Sequence, residues 1–171
     1  MTKIRAATAA DAELLSRLGA ATFTASFGHL YCAENLRRFL EKSHAIGVYR
    51  DLFSDENCGI WIAENEAGEA VGYAVAGPCS LPVPDMPQSA GELARLYLVK
   101  HAQGAGLGAA MLKIAMDFLK ARFEHVYLSV YAENFPAQKL YQRHGFKKLC
   151  DYFYMVGDHA DPEWIMVLEE R

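Results

Sequence analysis

The sequence has no cysteine arrangement typical of a metal site and no long apolar segment. Its four cysteines match no zinc-ligand spacing and no CxxC occurs, so no metal site is predicted. No apolar run approaches the roughly 18 residues of a membrane-spanning helix, which excludes a membrane protein. The opening residues MTKIRAATAADAELL are amphipathic and do not resemble a secretory signal, so we expect a reduced, cytoplasmic protein with free thiols.

Positive charge is also scarce. The 17 lysines and arginines are outnumbered by 21 acidic residues, giving a formal charge of −4. This balance argues against a nucleic-acid partner and is compatible with a cationic substrate. A chain of 171 residues, 52% of them hydrophobic, predicts one domain over residues 1–171. The sequence does not give the oligomeric state, and a homodimer stays open.

Hydrophobic periodicity predicts an α+β domain with a mixed sheet. Thr8 and Asp11 form a helix start signal close to a capping box. Residues 78–91 hold four prolines and are expected to form a loop. Helices are expected at about residues 9–27, 33–43, 47–55, 109–123 and 136–144, and strands at 3–7, 60–64, 70–77, 92–99, 125–131, 146–156 and 163–170.

Three closely spaced glycines, Gly104, Gly106 and Gly108, lie in HAQGAGLGAAM between a predicted strand and a predicted helix. The spacing is GxGxG, so it fits neither a P-loop, which needs GxxxxGK[ST], nor the dinucleotide fingerprint GxGxxG. Two interpretations remain. The glycines either allow a tight turn with positive φ, or expose backbone amides at a helix N-terminus that bind a pyrophosphate. The alternating spacing favours the second.

Two segments carry a family resemblance. Gln103-x-x-Gly106-x-Gly108 resembles the Q/R-x-x-G-x-G/A signature of the GNAT superfamily of N-acetyltransferases, and ENFPAQKLYQRHGF at 133–146 resembles its N-x-x-A-x-x-L-Y-x-x-x-G-F segment. The ends TFTASFGHLYCAENLRRFL and DYFYMVGDHADPEWIMVLEE resemble the PaiA-type spermine/spermidine acetyltransferases. Val156 and Trp164 depart from the pattern of that subgroup. The superfamily match covers about half of the chain, and the subgroup match is diffuse but spans nearly all of it.

The resemblance implies a single-domain GNAT fold. Its central sheet would be mostly antiparallel, with helices on both faces and two strands splayed where acetyl-CoA binds. The backbone of Leu98 and Val99 would pair with the pantetheine arm, and Asn134 and Tyr141 would contact the cofactor. The amides that would hold the pyrophosphate are those of Gln103, Gly104, Ala105, Gly106, Leu107, Gly108 and Ala109.

The resemblance also implies catalytic roles. Tyr141 would protonate the departing thiolate, although its helical spacing equally fits a core residue. The Val99 amide is a plausible oxyanion donor. Glu92 is the candidate general base, with a water relay as the alternative. Asn134 precedes a helix and also fits a plain N-cap.

The expected acceptor is a small primary amine, with polyamines first. Ammonium groups need carboxylates, and alkyl chains or cations need aromatic faces. The candidates in the matching segments are Glu34, Asp158, Asp161 and Glu163, with Tyr31, Tyr152 and Tyr154. A protein N-terminal or lysine acetyltransferase and a non-catalytic acyl-CoA sensor are the alternatives.

Overall fold

The computed structural model describes residues 2–169, in which a seven-stranded sheet is covered by helices. The strands are β1 (Lys3–Ala6), β2 (Gly59–Glu64), β3 (Ala70–Pro78), β4 (Ala90–Leu98), β5 (His125–Tyr131), β6 (Phe146–Val156) and β7 (His159–Leu168). The α-helices are α1 (Ala12–Phe27), α2 (Ala33–Ser43), α3 (Ile46–Ser54), α4 (Leu107–Lys120) and α5 (Phe135–Arg143). Within residues 2–169, no helix is long and apolar enough to cross a membrane.

The sheet has the strand order β1-β2-β3-β4-β5-β7-β6. Every neighbouring pair is antiparallel except β4 with β5, which run parallel. The predicted mostly antiparallel, mixed sheet is therefore confirmed. The helical segment before α1 begins with the predicted capping box, in which Asp11 Oδ2 accepts a hydrogen bond of 2.8 Å from the Thr8 amide.

The element boundaries differ from prediction mainly at the start of β7. Val156 pairs with His159 across a two-residue turn, so β7 begins four residues before the predicted start at Glu163. Asp161 and Pro162 hide this part of the strand in the sequence, because both residue types are rare in strands. The predicted end of the strand at residue 170 lies outside the described residues.

The sheet has a hydrophobic core on each face, and successive residues of β3 show this division. Tyr73 and Val75 are buried in the cluster that contains residues of α1 and α3. Ala74 and Ala76 are buried in clusters that include residues of α4. Side chains alternate between the faces of a strand, so the helices lie on both faces, as predicted.

The strands β4 and β5 separate after a short paired segment. Their parallel pairing runs from Ala90 with His125 to Leu93 with Leu128, whereas β4 continues to Leu98 and β5 to Tyr131. On its other side β4 contains a β-bulge, because Val75 pairs with Arg95 and Ala76 with Leu93, leaving Ala94 as the extra residue. A bulge bends a strand and increases its twist. The bulge therefore lies where the two strands diverge.

Candidate active site

A cavity of about 400 Å³ lies where β4 and β5 diverge. Residues of β4 to β7 and of α5 form its walls, and aromatic residues from α1 and α2 cover it. Both sequence-predicted catalytic candidates, Tyr141 and Glu92, line this cavity, and so does Asn134. The fold therefore brings together residues that lie up to 49 positions apart in the sequence (92 to 141).

On the side of β4 that faces the cavity, the backbone beyond Leu93 has no paired strand among residues 2–169. Val99 donates its amide hydrogen to Val71 O of β3 over 2.9 Å. In an antiparallel ladder, backbone groups point alternately to the two sides of the strand, so those of Leu98 and Leu96 point towards β5, where pairing has ended. The Val99 amide is therefore engaged inside the sheet, which corrects its expected role as an oxyanion donor. Gln103 Nε2 donates to the Leu98 carbonyl over 3.1 Å.

Two glycines of the glycine segment have left-handed backbone conformations, and the space next to each is open. Gly104 and Gly106 have φ values of 86° and 81°, a region that side chains strongly disfavour. A Cβ at either position would have no atom of the described residues within 4 Å. At Gly108 an added Cβ would make only ordinary contacts, the nearest at 3.6 Å from Leu98 Cδ1. Gly104 and Gly106 therefore fit both interpretations, since their backbone has positive φ and the space above them is open to a ligand. At Gly108 neither the backbone conformation nor the surrounding space requires glycine.

Gly106 is the N-cap of α4. The first helical bond is donated by the Ala110 amide to Gly106 O, over 3.1 Å. The amides of Leu107, Gly108 and Ala109 precede it and have no acceptor within the helix. They carry the positive end of the helix dipole, so this end of α4 suits an anion. The Gln103 amide differs, because it donates to Lys100 O over 3.3 Å in the preceding turn.

Asn134, the N-cap of α5, and Tyr141, within this helix, contribute to the fold as well as to the cavity. Asn134 caps the helix, its Oδ1 accepting from the Ala137 amide over 3.4 Å. Tyr141 is 8% exposed and packs edge-on against Phe146 with ring centroids 6.1 Å apart. Burial, together with the charge of Glu163, raises the pKa of the Tyr141 phenol to about 12. At neutral pH this hydroxyl keeps its proton and can donate it to a stronger base.

Glu92 is a buried carboxylate that is held by the proline-rich loop. Its Oε2 accepts hydrogen bonds from the Ser80 amide over 2.8 Å and from Ser80 Oγ over 3.0 Å. Burial raises the pKa of Glu92 above its ordinary value, although the two bonds from Ser80 oppose that change. A raised pKa makes a carboxylate a better proton acceptor, so the environment of Glu92 is compatible with a general base.

Two of the four predicted amine-binding carboxylates line the cavity, and both are on β7. Asp161 Oδ2 accepts from the Tyr31 hydroxyl, and Glu163 Oε2 accepts from the Tyr152 hydroxyl over 3.0 Å. Burial raises the pKa of Glu163, and the charges of Asp161 and Glu92 raise it further. The other two are exposed outside the cavity. Glu34 forms ion pairs with neighbouring arginines on α2, and Asp158 lies in the turn between β6 and β7.

A hydrogen-bond network of Arg95, Tyr49 and His44 also borders the cavity and was not predicted from the sequence. Arg95 Nη1 donates to the Tyr49 hydroxyl oxygen over 2.7 Å, and Tyr49 OH lies 2.9 Å from His44 Nδ1. Arg95 Nη1, which can only donate, also lies 3.4 Å from His44 Nδ1, so Nδ1 is assigned as the acceptor, with Tyr49 donating to it and the imidazole hydrogen on Nε2. Burial, aided by the charge of Arg95, lowers the pKa of His44 to about 3. The available signal was an arginine within the apolar run LARLYLV.

In the described part of the chain, no group of three or more His, Cys, Asp or Glu side chains could hold a metal ion. The cysteines Cys32, Cys58, Cys79 and Cys150 are unpaired. Burial raises the pKa of the Cys58 and Cys79 thiols to about 11. Because the thiolate is the reactive form of cysteine, neither of these two is suited to act as a nucleophile.

Comparisons with known proteins agree with this arrangement. The chain is 36% identical over 84 residues to the spermine/spermidine N(1)-acetyltransferase of Bacillus subtilis (strain 168), a match that covers 47% of this chain and only 54% of that relative. It is 23% identical over 167 residues to an N-alpha-acetyltransferase of Sulfolobus acidocaldarius, covering 92% of this chain and 88% of the other.

The fold is shared with a PaiA N-acetyltransferase from Thermoplasma acidophilum solved in complex with coenzyme A. Its TM-score is 0.76 at 18% identity, over 99% of both chains. The acetyltransferase (GNAT) family profile matches residues 24–146. That range includes the diverging strands, the glycine segment and α5. The protein therefore belongs to the GNAT family, and it is an N-acetyltransferase whose co-substrate is acetyl-CoA.

Proposed function

We propose that this enzyme acetylates a primary amine of a polyamine such as spermine or spermidine. The observation that carries the proposal is the set of three carboxylates, Glu92, Asp161 and Glu163, that line one aromatic cavity. Carboxylates and tyrosine faces attract ammonium groups, and aromatic surfaces also cover the methylene chains between them. The similarity of part of the chain to a spermine/spermidine acetyltransferase supports the same substrate class.

We place acetyl-CoA along the free edge of β4 and the start of α4. The open space above Gly104 and Gly106 and the unpaired amides at the start of α4 fit a pyrophosphate. The Leu98 amide and the Leu96 carbonyl would pair with the pantetheine arm as an added strand. Acetyl-CoA supplies an activated acetyl group as a thioester. The proposed contacts are Leu98, Val99, Gln103, Gly104, Ala105, Gly106, Leu107, Gly108, Ala109, Asn134 and Tyr141, with Val99 and Gln103 acting through atoms other than their engaged amides.

The catalytic roles that we propose follow from the protonation states. Tyr141 is protonated at neutral pH and lines the cavity, so its hydroxyl can donate a proton to the sulfur as the C–S bond breaks. Glu92 accepts the proton that the attacking amine loses, directly or through water. The Leu96 amide, on the free edge of β4, takes the oxyanion role that Val99 cannot fill.

The test is an acetylation assay read by release of free thiol. The panel comprises spermine, spermidine, putrescine, butylamine and peptides with free N-termini. We expect the highest kcat/KM with a polyamine. The polyamine proposal fails if peptides are preferred. The observation that favours peptides as a second candidate is the similarity to an N-alpha-acetyltransferase over 92% of the chain. Cofactor binding without turnover across the whole panel would instead support an acyl-CoA sensor.

We also propose a reducing, cytoplasmic location, which the unpaired cysteines Cys32, Cys58, Cys79 and Cys150 support. The single domain over residues 1–171 and the homodimer stay predictions. Size-exclusion chromatography with light scattering measures the oligomeric state directly.

A further inference from the structure

We infer that Asp161 binds a second ammonium group of the acceptor, distant from the amine that is acetylated, and so selects diamines over monoamines. This inference rests on the proposed function and deepens it, because it assigns the choice of substrate to one residue. Asp161 is then a specificity-determining residue, distinct from the groups that carry out the transfer.

The first argument is an incompletely satisfied buried carboxylate. Asp161 is only 3% exposed and lines the cavity. Its Oδ2 accepts a hydrogen bond from Tyr31, but its buried Oδ1 accepts none from the described residues. His159 Nε2 lies 3.1 Å from Oδ1, on a half-exposed side chain that carries charge only when it is protonated. A buried carboxylate is costly without a donor or a counter-charge, and an ammonium group supplies both.

The second argument is the spacing along β7. Asp161 and Glu163 are two residues apart and line the same cavity. Two residues of an extended strand span about 7 Å. The two nitrogens of a four-methylene diamine are roughly 6 Å apart in the extended form, given bond lengths near 1.5 Å. Flexible carboxylates adjust to the remaining difference, so the pair fits a diamine with a spacer of about four methylenes, such as putrescine.

The third argument is that the two carboxylates differ in their neighbours. Glu163 pairs with Tyr131 at the end of β5, directly before the helix that carries Tyr141, the proposed acid, and its charge raises the pKa of Tyr141. Glu163 is therefore assigned to the side of the transfer point. Asp161 lies two residues before Glu163 in β7 and pairs with Tyr154 of β6. Its carboxylate accepts a hydrogen bond from Tyr31, which lies in the connection between α1 and α2. The reacting amine therefore belongs near Glu163 and the second ammonium near Asp161.

Tyrosines on the strands beside the two carboxylates offer apolar surface to a methylene chain. Glu163 is level with Tyr152 of β6 and Tyr131 of β5, and Asp161 is level with Tyr154. All three of these tyrosines line the cavity.

Arg95 also lines the cavity, but its hydrogen bonds are made to residues of α2 and α3 and not to β7. Arg95 directs Nη1 to Tyr49 and Nη2 to the Ser43 carbonyl, over 2.7 and 2.8 Å. Its charge is thus held against α3 and the end of α2.

The experiment compares putrescine with butylamine, which has the same chain but a single amine. Wild-type enzyme is expected to show a kcat/KM for putrescine at least about 30-fold above that for butylamine, mostly through KM, as befits a buried charge pair. Asp161→Asn should bring this ratio close to one. The matched control is Asp158→Asn, which removes an equal charge from the same hairpin outside the cavity and should keep the wild-type ratio. An unchanged ratio in Asp161→Asn overturns the inference.

Asp161→Glu keeps the inference testable if the asparagine variant does not fold. The longer side chain moves the carboxylate by about one bond length towards the substrate. The preferred diamine should then shorten by one methylene, from putrescine to 1,3-diaminopropane. A length preference that does not move contradicts the inference. A purely structural role of Asp161 would lower kcat/KM for putrescine and butylamine by equal factors, and that result also contradicts it.

The assay separates this inference from the proposed function. If wild-type enzyme acetylates amines but treats putrescine and butylamine alike, only the role of Asp161 fails. If it acetylates no small amine, the proposed function fails with it.

Discussion

Arg95 on β4 donates a hydrogen bond from Nη1 to the hydroxyl oxygen of Tyr49 on α3, over 2.7 Å. Its Nη2 donates to the Ser43 carbonyl at the end of α2 over 2.8 Å. One side chain thus ties the strand at the β-bulge to two helices of the same face. The guanidinium also lies over the Tyr49 ring, 5.2 Å from its centroid, which adds a cation–π attraction.

Replacing Arg95 should therefore destabilise the fold. Arg95→Met keeps the apolar stem but leaves the Tyr49 hydroxyl and the Ser43 carbonyl without their charged donor. We expect the free energy of unfolding to fall by about 2–3 kcal/mol. Urea unfolding followed by circular dichroism measures the change. The matched control is Arg17→Met on α1, whose exposed side chain forms a 3.8 Å ion pair with the equally exposed Glu13. Equal effects of the two substitutions would contradict the structural role of Arg95.

His44 should make stability depend on pH. The folded protein keeps the ring neutral down to its lowered pKa of about 3, whereas the unfolded chain takes up a proton near 6.5. The unfolded state therefore binds more protons between these values. The free energy of unfolding falls as pH falls through this window, by at most about 1.4 kcal/mol per pH unit.

The check is urea unfolding at several pH values between 6.5 and 4.5, in wild type and in His44→Gln. Glutamine can still accept from Tyr49 but does not titrate. The difference in unfolding free energy between the two proteins should shrink or change sign in favour of the variant as pH falls. Parallel pH dependences would show that His44 titrates alike in the folded and unfolded states.

Gly106→Glu should abolish binding of acetyl-CoA. The substitution strains a backbone with φ of 81° and places a negative side chain where an anion is expected. Isothermal titration calorimetry with coenzyme A measures the affinity. Gly68→Glu is the matched control, because Gly68 has a φ of 79° and equally open surroundings but lies in the turn between β2 and β3. The anion-site argument fails if both variants bind coenzyme A like wild type.

Tyr141→Phe should lower kcat by about 100-fold, the scale of general acid catalysis, while the Kd for acetyl-CoA stays nearly unchanged. The substitution removes the hydroxyl and keeps the ring that packs against Phe146. Steady-state kinetics and calorimetry provide the two numbers. Tyr127→Phe on β5 is the control, since Tyr127 is also buried but lies outside the cavity lining. A wild-type kcat in Tyr141→Phe would exclude Tyr141 as the acid.

The order of the elements and the glycine segment could be predicted because their signals are local. Hydrophobic periodicity marks α4 and β5, and the glycine spacing marks the positive φ at Gly104 and Gly106. Family resemblance added the neighbouring segment with Asn134 and Tyr141. These residues line one cavity because α5 directly follows β5.

The contacts of Arg95 and Asp161 could not be predicted because they depend on pairing between distant segments. Arg95 meets Ser43, which is 52 residues away, and Tyr31 meets Asp161, which is 130 residues away. The direction of the Val99 amide likewise depends on the register of β3 with β4, and a shift by one residue would reverse it. No local sequence pattern indicates which residues these side chains and this amide contact, so their partners could not be predicted.

Because pairing between β4 and β5 ends early, the centre of the sheet lacks backbone hydrogen bonds that a bound ligand can supply. Acetyl-CoA, as the co-substrate, binds the folded chain and not the unfolded one, so its concentration enters the folding equilibrium by mass action. At 100 times its Kd, a ligand adds about 2.7 kcal/mol to the unfolding free energy. The survival of this enzyme in the cell is therefore expected to follow the supply of acetyl-CoA, with the protein unfolding and being degraded sooner when the metabolite is depleted.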